Sequence, residues 1–253
     1  MEYLAEPGSI VRKIWGKSDT ILFIFAGASA EFALNKAVDW LYFTGKLPGD
    51  PIGRLFSTVV YAKQIVFAER QAAHAAIDKI TSIHSSVEKS RNAKIPDWAY
   101  RDVLYMLIHY SIASFELLER KLSLAEKEEV FDVFYRVGDR MHLKDLPVTY
   151  NDWLLSRQQH MQNDLQKGHY TTDLFKQYKL HLGGTRYWLL LQVQKMVVPS
   201  LVKKMLAFGT ISPLNPAIPL YKWSRFIKMD RFIKLLLLPP KYKAQVDALD
   251  ESD

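Results

Sequence analysis

Long stretches without glycine or proline constrain this chain more than any other feature of its sequence. Neither residue occurs between Arg54 and Lys89, and the 253 residues include only 11 of each. Glycine and proline interrupt helices, whereas the abundant Leu, Ala, Lys and Glu favour them. No alternation typical of β-strands persists beyond a few residues. With 49% apolar residues available for a core, the sequence predicts an all-α fold in a single multi-helix globular domain.

Turn and cap signals divide the chain into helices. Apolar residues dominate 19–44, which predicts one central helix, and the turn cluster 45–53 follows it. A bend is expected near 68–71, and a second strongly apolar helix is expected from 98 to 121. Later boundaries are marked by two helix N-caps and by breakers: Ser123 with Glu126, Thr149 with Asp152, Gly183 with Gly184, and Pro199.

We expect one domain over residues 1–253, with an N-terminal arm (1–17), a core (18–208) and a basic amphipathic C-terminal helix (220–238). The last segment places cations beside aromatic and leucine side chains. It is either a packed helix whose Lys and Arg side chains extend to water, or a helix that lies on an anionic membrane. Residues 17–32 have features of a signal segment, but their apolar run suits a core helix better. A cytoplasmic location is therefore expected.

Charge and cysteine content narrow the classes of function. The net charge of +7 would suit nucleic acid or an anionic membrane, but no zinc-finger spacing or glycine-rich phosphate loop accompanies it. We therefore expect no nucleic-acid partner. The chain contains no cysteine, which excludes disulfides, zinc–thiolate sites, iron–sulfur clusters and thiolate-ligated haem.

Three polar positions interrupt apolar helical patterns. His84 continues an apolar stripe, His109 lies within an apolar stretch, and Arg54 shares a helix face with Thr58. Each histidine could be a core residue whose ring is hydrogen-bonded, or a ligand. Arg54 requires either a structural ion pair, for example with Glu31, Glu69 or Asp50, or a cavity that holds an anion.

Two segments also resemble a known family. They read DPIGRLFSTVVYAKQIVFAERQAAHAAIDKITSIHSSV and AYRDVLYMLIHYSI, and a later segment, RVGDRMHLKDLPVTYNDW, fits the same pattern. Their order and spacing resemble the catalytic domain shared by bacterial latex-clearing rubber oxygenases and fungal MpaB-type oxygenases. The resemblance covers roughly residues 20–200, and the matching positions are Asp50, Pro51, Arg54, Thr58, His84, Val87, Tyr100 and His109.

The resemblance implies an all-α fold around a haem b in an apolar pocket. It implies that His84 holds the haem iron and that Arg54 and Thr58 lie on the distal side, near the oxygen site and the propionates. It also implies that His109 is a further catalytic or pocket residue. Members of the group use dioxygen to oxidise or cleave carbon–carbon double bonds in apolar isoprenoid chains.

One departure from the family affects the expected substrate. The rubber oxygenases have a lysine immediately before the matched threonine, where this chain has Ser57. We therefore expect a small apolar substrate rather than a polymer. The alternative is a helical protein that binds a lipid, an isoprenoid or haem without chemistry, and that associates with a membrane through 220–238.

Overall fold

A computed structural model describes residues 2–45, 49–209, 211–226 and 242. These residues form eleven helices, and their only β-type pairings are two isolated bridges, which confirms the all-α prediction. The helices are α1 (Ile10–Trp15), α2 (Ser18–Phe32), α3 (Val38–Phe43), α4 (Pro51–Phe67), α5 (Arg70–Arg91), α6 (Asp97–Leu118), α7 (Leu124–Arg140), α8 (Tyr150–Asn163), α9 (His169–Val197), α10 (Ser200–Met205) and α11 (Ala217–Phe226).

The central element is α2, which packs along α6 and against α9. Its sequence is apolar on almost every side, so it can be stable only where other helices surround it. Gly27 allows the closest approach, because a Cβ atom there would clash with the Tyr110 ring and lie 2.9 Å from Val197 Cγ2. The segment 17–32 therefore lies in the core, mostly as α2.

The prediction of one helix over 19–44 is wrong. The helix ends at Phe32, and residues 33–37 turn away before α3 begins. The Asn35 side chain accepts a hydrogen bond from the backbone N–H of Ala37 and donates one to Asp102, both at 2.8 Å. Such a local side-chain bond competes with the helical pattern. The backbone N–H of Lys36 donates to Asp164 instead of continuing the helix.

Most other boundaries follow the local signals. The bend expected near 68–71 is a complete break, because α4 ends at Phe67. Both predicted N-caps are present, as capping boxes built on Ser123 and Thr149. Gly183 kinks α9 with a φ of 74°, a left-handed conformation that suits glycine. The predicted N-terminal arm contains α1, whose Trp15 side chain is fully buried.

Only part of the predicted C-terminal helix, 220–238, lies within the described residues. Residues 227–238 lie outside the described residues. The described portion of the segment belongs to α11, where Leu220 and Trp223 are exposed and the Lys222 ammonium donates to the Glu119 carbonyl. Within the described ranges, no helix combines the length and apolarity needed to cross a bilayer.

The close approach at Gly27 leads to a prediction. Gly27→Ala should lower the free energy of unfolding by about 1–3 kcal/mol, because the added methyl group overpacks the contact between α2 and α6. Thermal denaturation measures this change. Gly184→Ala is the matched control, since nothing lies within 4 Å of a Cβ atom there. Equal stability of the two variants would contradict the packing described for α2.

Candidate active site

A cavity of about 970 Å³ lies inside the helical bundle. Its walls come from α2, α3, α4, α5, α6, α7 and α9, and most of the lining side chains are aliphatic or aromatic. The cavity is at the upper end of the range of about 300–1,000 Å³ that is typical of sites for small molecules and cofactors. Three of the polar side chains that line it are His84, Arg54 and Thr58, which the sequence predicts as site residues.

His84 projects from α5 and lines the cavity. Its Nδ1 atom is buried and has no hydrogen-bond partner within the described part of the chain. Burial and the positive charge of Arg54 lower the pKa of His84 to about 4, although Glu88 opposes the shift. The imidazole is therefore neutral near pH 7, which is the form that binds metal ions.

Tyr100 of α6 holds the His84 ring in place. The two ring centroids are 5.0 Å apart, with an angle of 56° between the ring planes. The Tyr100 hydroxyl donates to Glu88 Oε1 at 3.4 Å, and the same carboxylate accepts from Lys94 and from the backbone N–H of Ile95. Because Glu88 is itself anchored, it holds Tyr100, and packing against the Tyr100 ring orients the His84 ring. A histidine that binds a metal ion is more often oriented by a hydrogen-bond acceptor.

Arg54 of α4 brings a positive charge to the cavity wall. No described carboxylate forms an ion pair with it; the Glu31 carboxylate binds Arg157 instead. Burial lowers the pKa of Arg54, but a guanidinium stays charged in proteins. The structural ion pair considered for Arg54 is therefore absent from the described residues, and its guanidinium can bind an anion in the cavity.

The hydroxyl groups that follow Arg54 on α4 hold its side chain. Arg54 Nη1 donates to Ser57 Oγ at 3.0 Å and approaches Thr58 Oγ1 at 3.5 Å. Both hydroxyls in turn donate to the Arg54 carbonyl, as their i+3 and i+4 positions allow. Thr58 therefore positions the guanidinium and also faces the cavity.

His109 does not line this cavity. It lies near a second polar region, where burial and the charge of Arg157 lower its pKa to about 4 while Glu31 opposes the shift. Its ring packs edge-on against Tyr110, with ring centroids 4.9 Å apart. The structure thus brings His84, Arg54 and Thr58 together and places His109 elsewhere. A role for His109 in the site stays a prediction.

The second polar region is a buried network between α2, α6 and α8. Glu31 accepts two hydrogen bonds from Arg157 at 2.5 Å, one from Tyr110 at 2.8 Å, and lies 3.0 Å from His160 Nε2. His160 Nδ1 lies 2.6 Å from Asp102. Although burial opposes ionisation, Arg157 and His160 hold the pKa of Glu31 far below its usual value.

The sequence interpretation missed this network. Its members lie on three helices that are far apart in the chain, and no local pattern connects them. Asp102, His160 and Asp164 could together hold a metal ion, with ligand atoms within 4.8 Å of one another. The pKa of His160 nevertheless indicates an ion pair: burial lowers it, but hydrogen bonds to Asp102 and Glu31 raise it to about 9. A metal ion could bind at this group only by displacing the proton of His160.

A family model described as "ER-bound oxygenase mpaB/B'/Rubber oxygenase, catalytic domain" matches residues 15–227. The chain belongs to this oxygenase family. The match spans α2 to α11 and includes every helix that lines the cavity, so the resemblance found in the sequence is confirmed. A comparison with curated proteins found no match.

Two further residues line the cavity of this oxygenase-family protein, and no sequence pattern predicted them as site residues. Arg186 of α9 brings a second guanidinium to the wall, and Trp40 of α3 lines it with an indole ring. Both come from segments outside the matched motifs. Only the fold shows that they share a cavity with His84.

The buried network leads to a pH prediction. The folded pKa of His160 is about 9 and its ordinary value is 6.5. Its contribution to stability is therefore complete below pH 6.5 and is lost as the pH rises through 9. That contribution is on the order of 3 kcal/mol. We expect His160→Gln to lower the melting temperature at pH 6 and to flatten its decline between pH 6.5 and 9.

Thermal melts across this pH range measure the effect. His169→Gln is the control, because His169 is an exposed residue at the start of α9. If the wild-type and His160→Gln curves fall in parallel between pH 6.5 and 9, His160 is not a buried imidazolium.

Proposed function

We propose that this chain is a haem-b-dependent oxygenase that acts on an apolar, unsaturated small molecule such as an isoprenoid. In this proposal dioxygen attacks a carbon–carbon double bond of the substrate. One observation carries it: the neutral side chain of His84, whose buried Nδ1 has no described partner, lines a large apolar cavity. Membership in the oxygenase family supports the reaction class.

The residues present fit a haem. A histidine nitrogen is an established axial ligand for haem iron, and an apolar surround suits the porphyrin faces. The guanidinium of Arg54 lines the same cavity and is a suitable partner for a carboxylate. When bound, the haem would supply the iron chemistry that activates dioxygen.

Each residue then has a defined task. His84 would hold the iron, and Tyr100, anchored by Glu88, would keep the imidazole ring from turning. Arg54, held by the Thr58 and Ser57 hydroxyls, would donate hydrogen bonds to a propionate or to an oxygen ligand in the cavity. The apolar lining orients the hydrocarbon chain of the substrate and excludes bulk water from the reaction.

The apolar lining also supports a second candidate function. A cavity of this size and character could hold a lipid or an isoprenoid without any chemistry. Oxygen uptake separates the two: haem-loaded protein should consume dioxygen when an unsaturated isoprenoid is added. Binding of the isoprenoid without oxygen uptake would favour the carrier.

The ligand assignment is tested by substitution. Wild-type protein titrated with haem should develop a Soret band, and His84→Ala should lose it because no other histidine lines the cavity within the described part of the chain. His74→Ala is the matched control: His74 is on the same helix but lines a surface groove beside Asp78 and Arg140. An unchanged Soret band in His84→Ala, with circular dichroism showing a folded protein, would reject the assignment.

A further inference from the structure

The short helix α3 forms one part of the cavity wall. It has 6 residues, whereas the other helices of the wall have at least 15. Trp40 and Leu41 of α3, and Thr44 directly after it, line the cavity. Phe43 is on the same helix but does not line the cavity, and 47% of it is exposed. The helix therefore turns Trp40 towards the cavity and Phe43 towards solvent.

Arg91 at the end of α5 ties α3 to the bundle. Its guanidinium carbon lies 4.1 Å from the centre of the Trp40 ring and 5.4 Å from that of Phe43. Its Nη2 atom forms an ion pair with Asp39 at 2.6 Å. The buried Nη1 atom has no hydrogen-bond partner among the described residues. Cation–π stacking and one carboxylate thus determine where the guanidinium lies.

This arrangement places a partly exposed indole ring at the wall of the cavity that His84 also lines. Arg91 follows His84 by two helical turns on α5, which is roughly 10 Å along the helix axis. Arg91 restrains the Trp40 ring and pairs with the neighbouring Asp39, so its contacts hold this part of the cavity wall in place. A short helix held by a few side-chain contacts moves more easily than the long helices that form the other walls.

We propose that Trp40, held in place by Arg91, is the residue that controls entry of apolar ligands into the cavity and limits their size. The inference rests on the proposed function only in that the cavity takes an apolar ligand. It does not require haem.

The test therefore uses the haem-free full chain and a neutral fluorescent probe, N-phenyl-1-naphthylamine. Stopped-flow fluorescence gives the rate at which the probe enters the cavity. Trp40→Ala should raise the association rate about tenfold, and Arg91→Ala about two- to tenfold, as expected for loss of cation–π contacts. Phe43→Ala is the matched control, because Phe43 contacts the same guanidinium without lining the cavity, and its rate should change by less than about twofold.

Two additions keep the test decisive. Asp39→Asn removes the ion pair and leaves both rings in place, so it should give a smaller rise than Arg91→Ala even if Trp40→Ala does not fold. Competition by geraniol, farnesol and geranylgeraniol measures selection by size, and loss of the indole should improve competition by geranylgeraniol relative to geraniol.

The proposed control of entry by Trp40 and Arg91, called the gate below, is rejected if the probe enters Arg91→Ala and Trp40→Ala at the wild-type rate. It is also rejected if Phe43→Ala accelerates entry of the probe as much as Trp40→Ala does. These outcomes are independent of the proposed function. A protein that shows the expected rate changes but no Soret band has the gate without the haem site. A protein with a His84-dependent Soret band and unchanged entry rates has the haem site without the gate.

Discussion

The burial of α2 on all of its sides is the constraint on which the rest of the structure depends. One side meets α6 so closely that only glycine fits at position 27, opposite Tyr110. The same contact buries Glu31, whose charge has to be compensated because an unpaired buried carboxylate is strongly destabilising. Arg157 of α8 supplies the compensation. The other side of α2 lines the cavity, so the helix at the centre of the core also forms part of the cavity wall.

The cavity differs from the rest of the core in the state of its polar groups. In the Glu31 network every charge has a partner at short distance. At the cavity, His84 is neutral with an unpartnered buried nitrogen, and Arg54 is charged without a described carboxylate. Buried polar groups in this condition are costly unless a ligand completes them. The contrast supports the cavity, rather than the ion network, as the site of the haem in the proposed function.

What the sequence could predict follows from how local each signal is. Helix caps such as Ser123 with Glu126 depend on residues three positions apart, and they were predicted correctly. His84 and Arg54 were found because they interrupt apolar helical patterns, and their order and spacing then matched a family. The pairing of Glu31 with Arg157 joins positions 126 residues apart and has no local signature, so Glu31 was considered as a partner for Arg54 instead. The helix end after Phe32 was missed for a similar reason, because it depends on contacts that Asn35 and Lys36 make with distant segments.

The central claim is that the imidazole of His84 holds a haem iron inside the cavity. The most direct measurement is the position of iron in a crystal of the haem-loaded protein, located by anomalous scattering at the iron absorption edge. The account predicts a single strong peak within bonding distance of a His84 ring nitrogen, between α4 and α5 and beside Arg54. A peak at the Asp102–His160–Asp164 group, or haem bound with its iron on another residue, would contradict it.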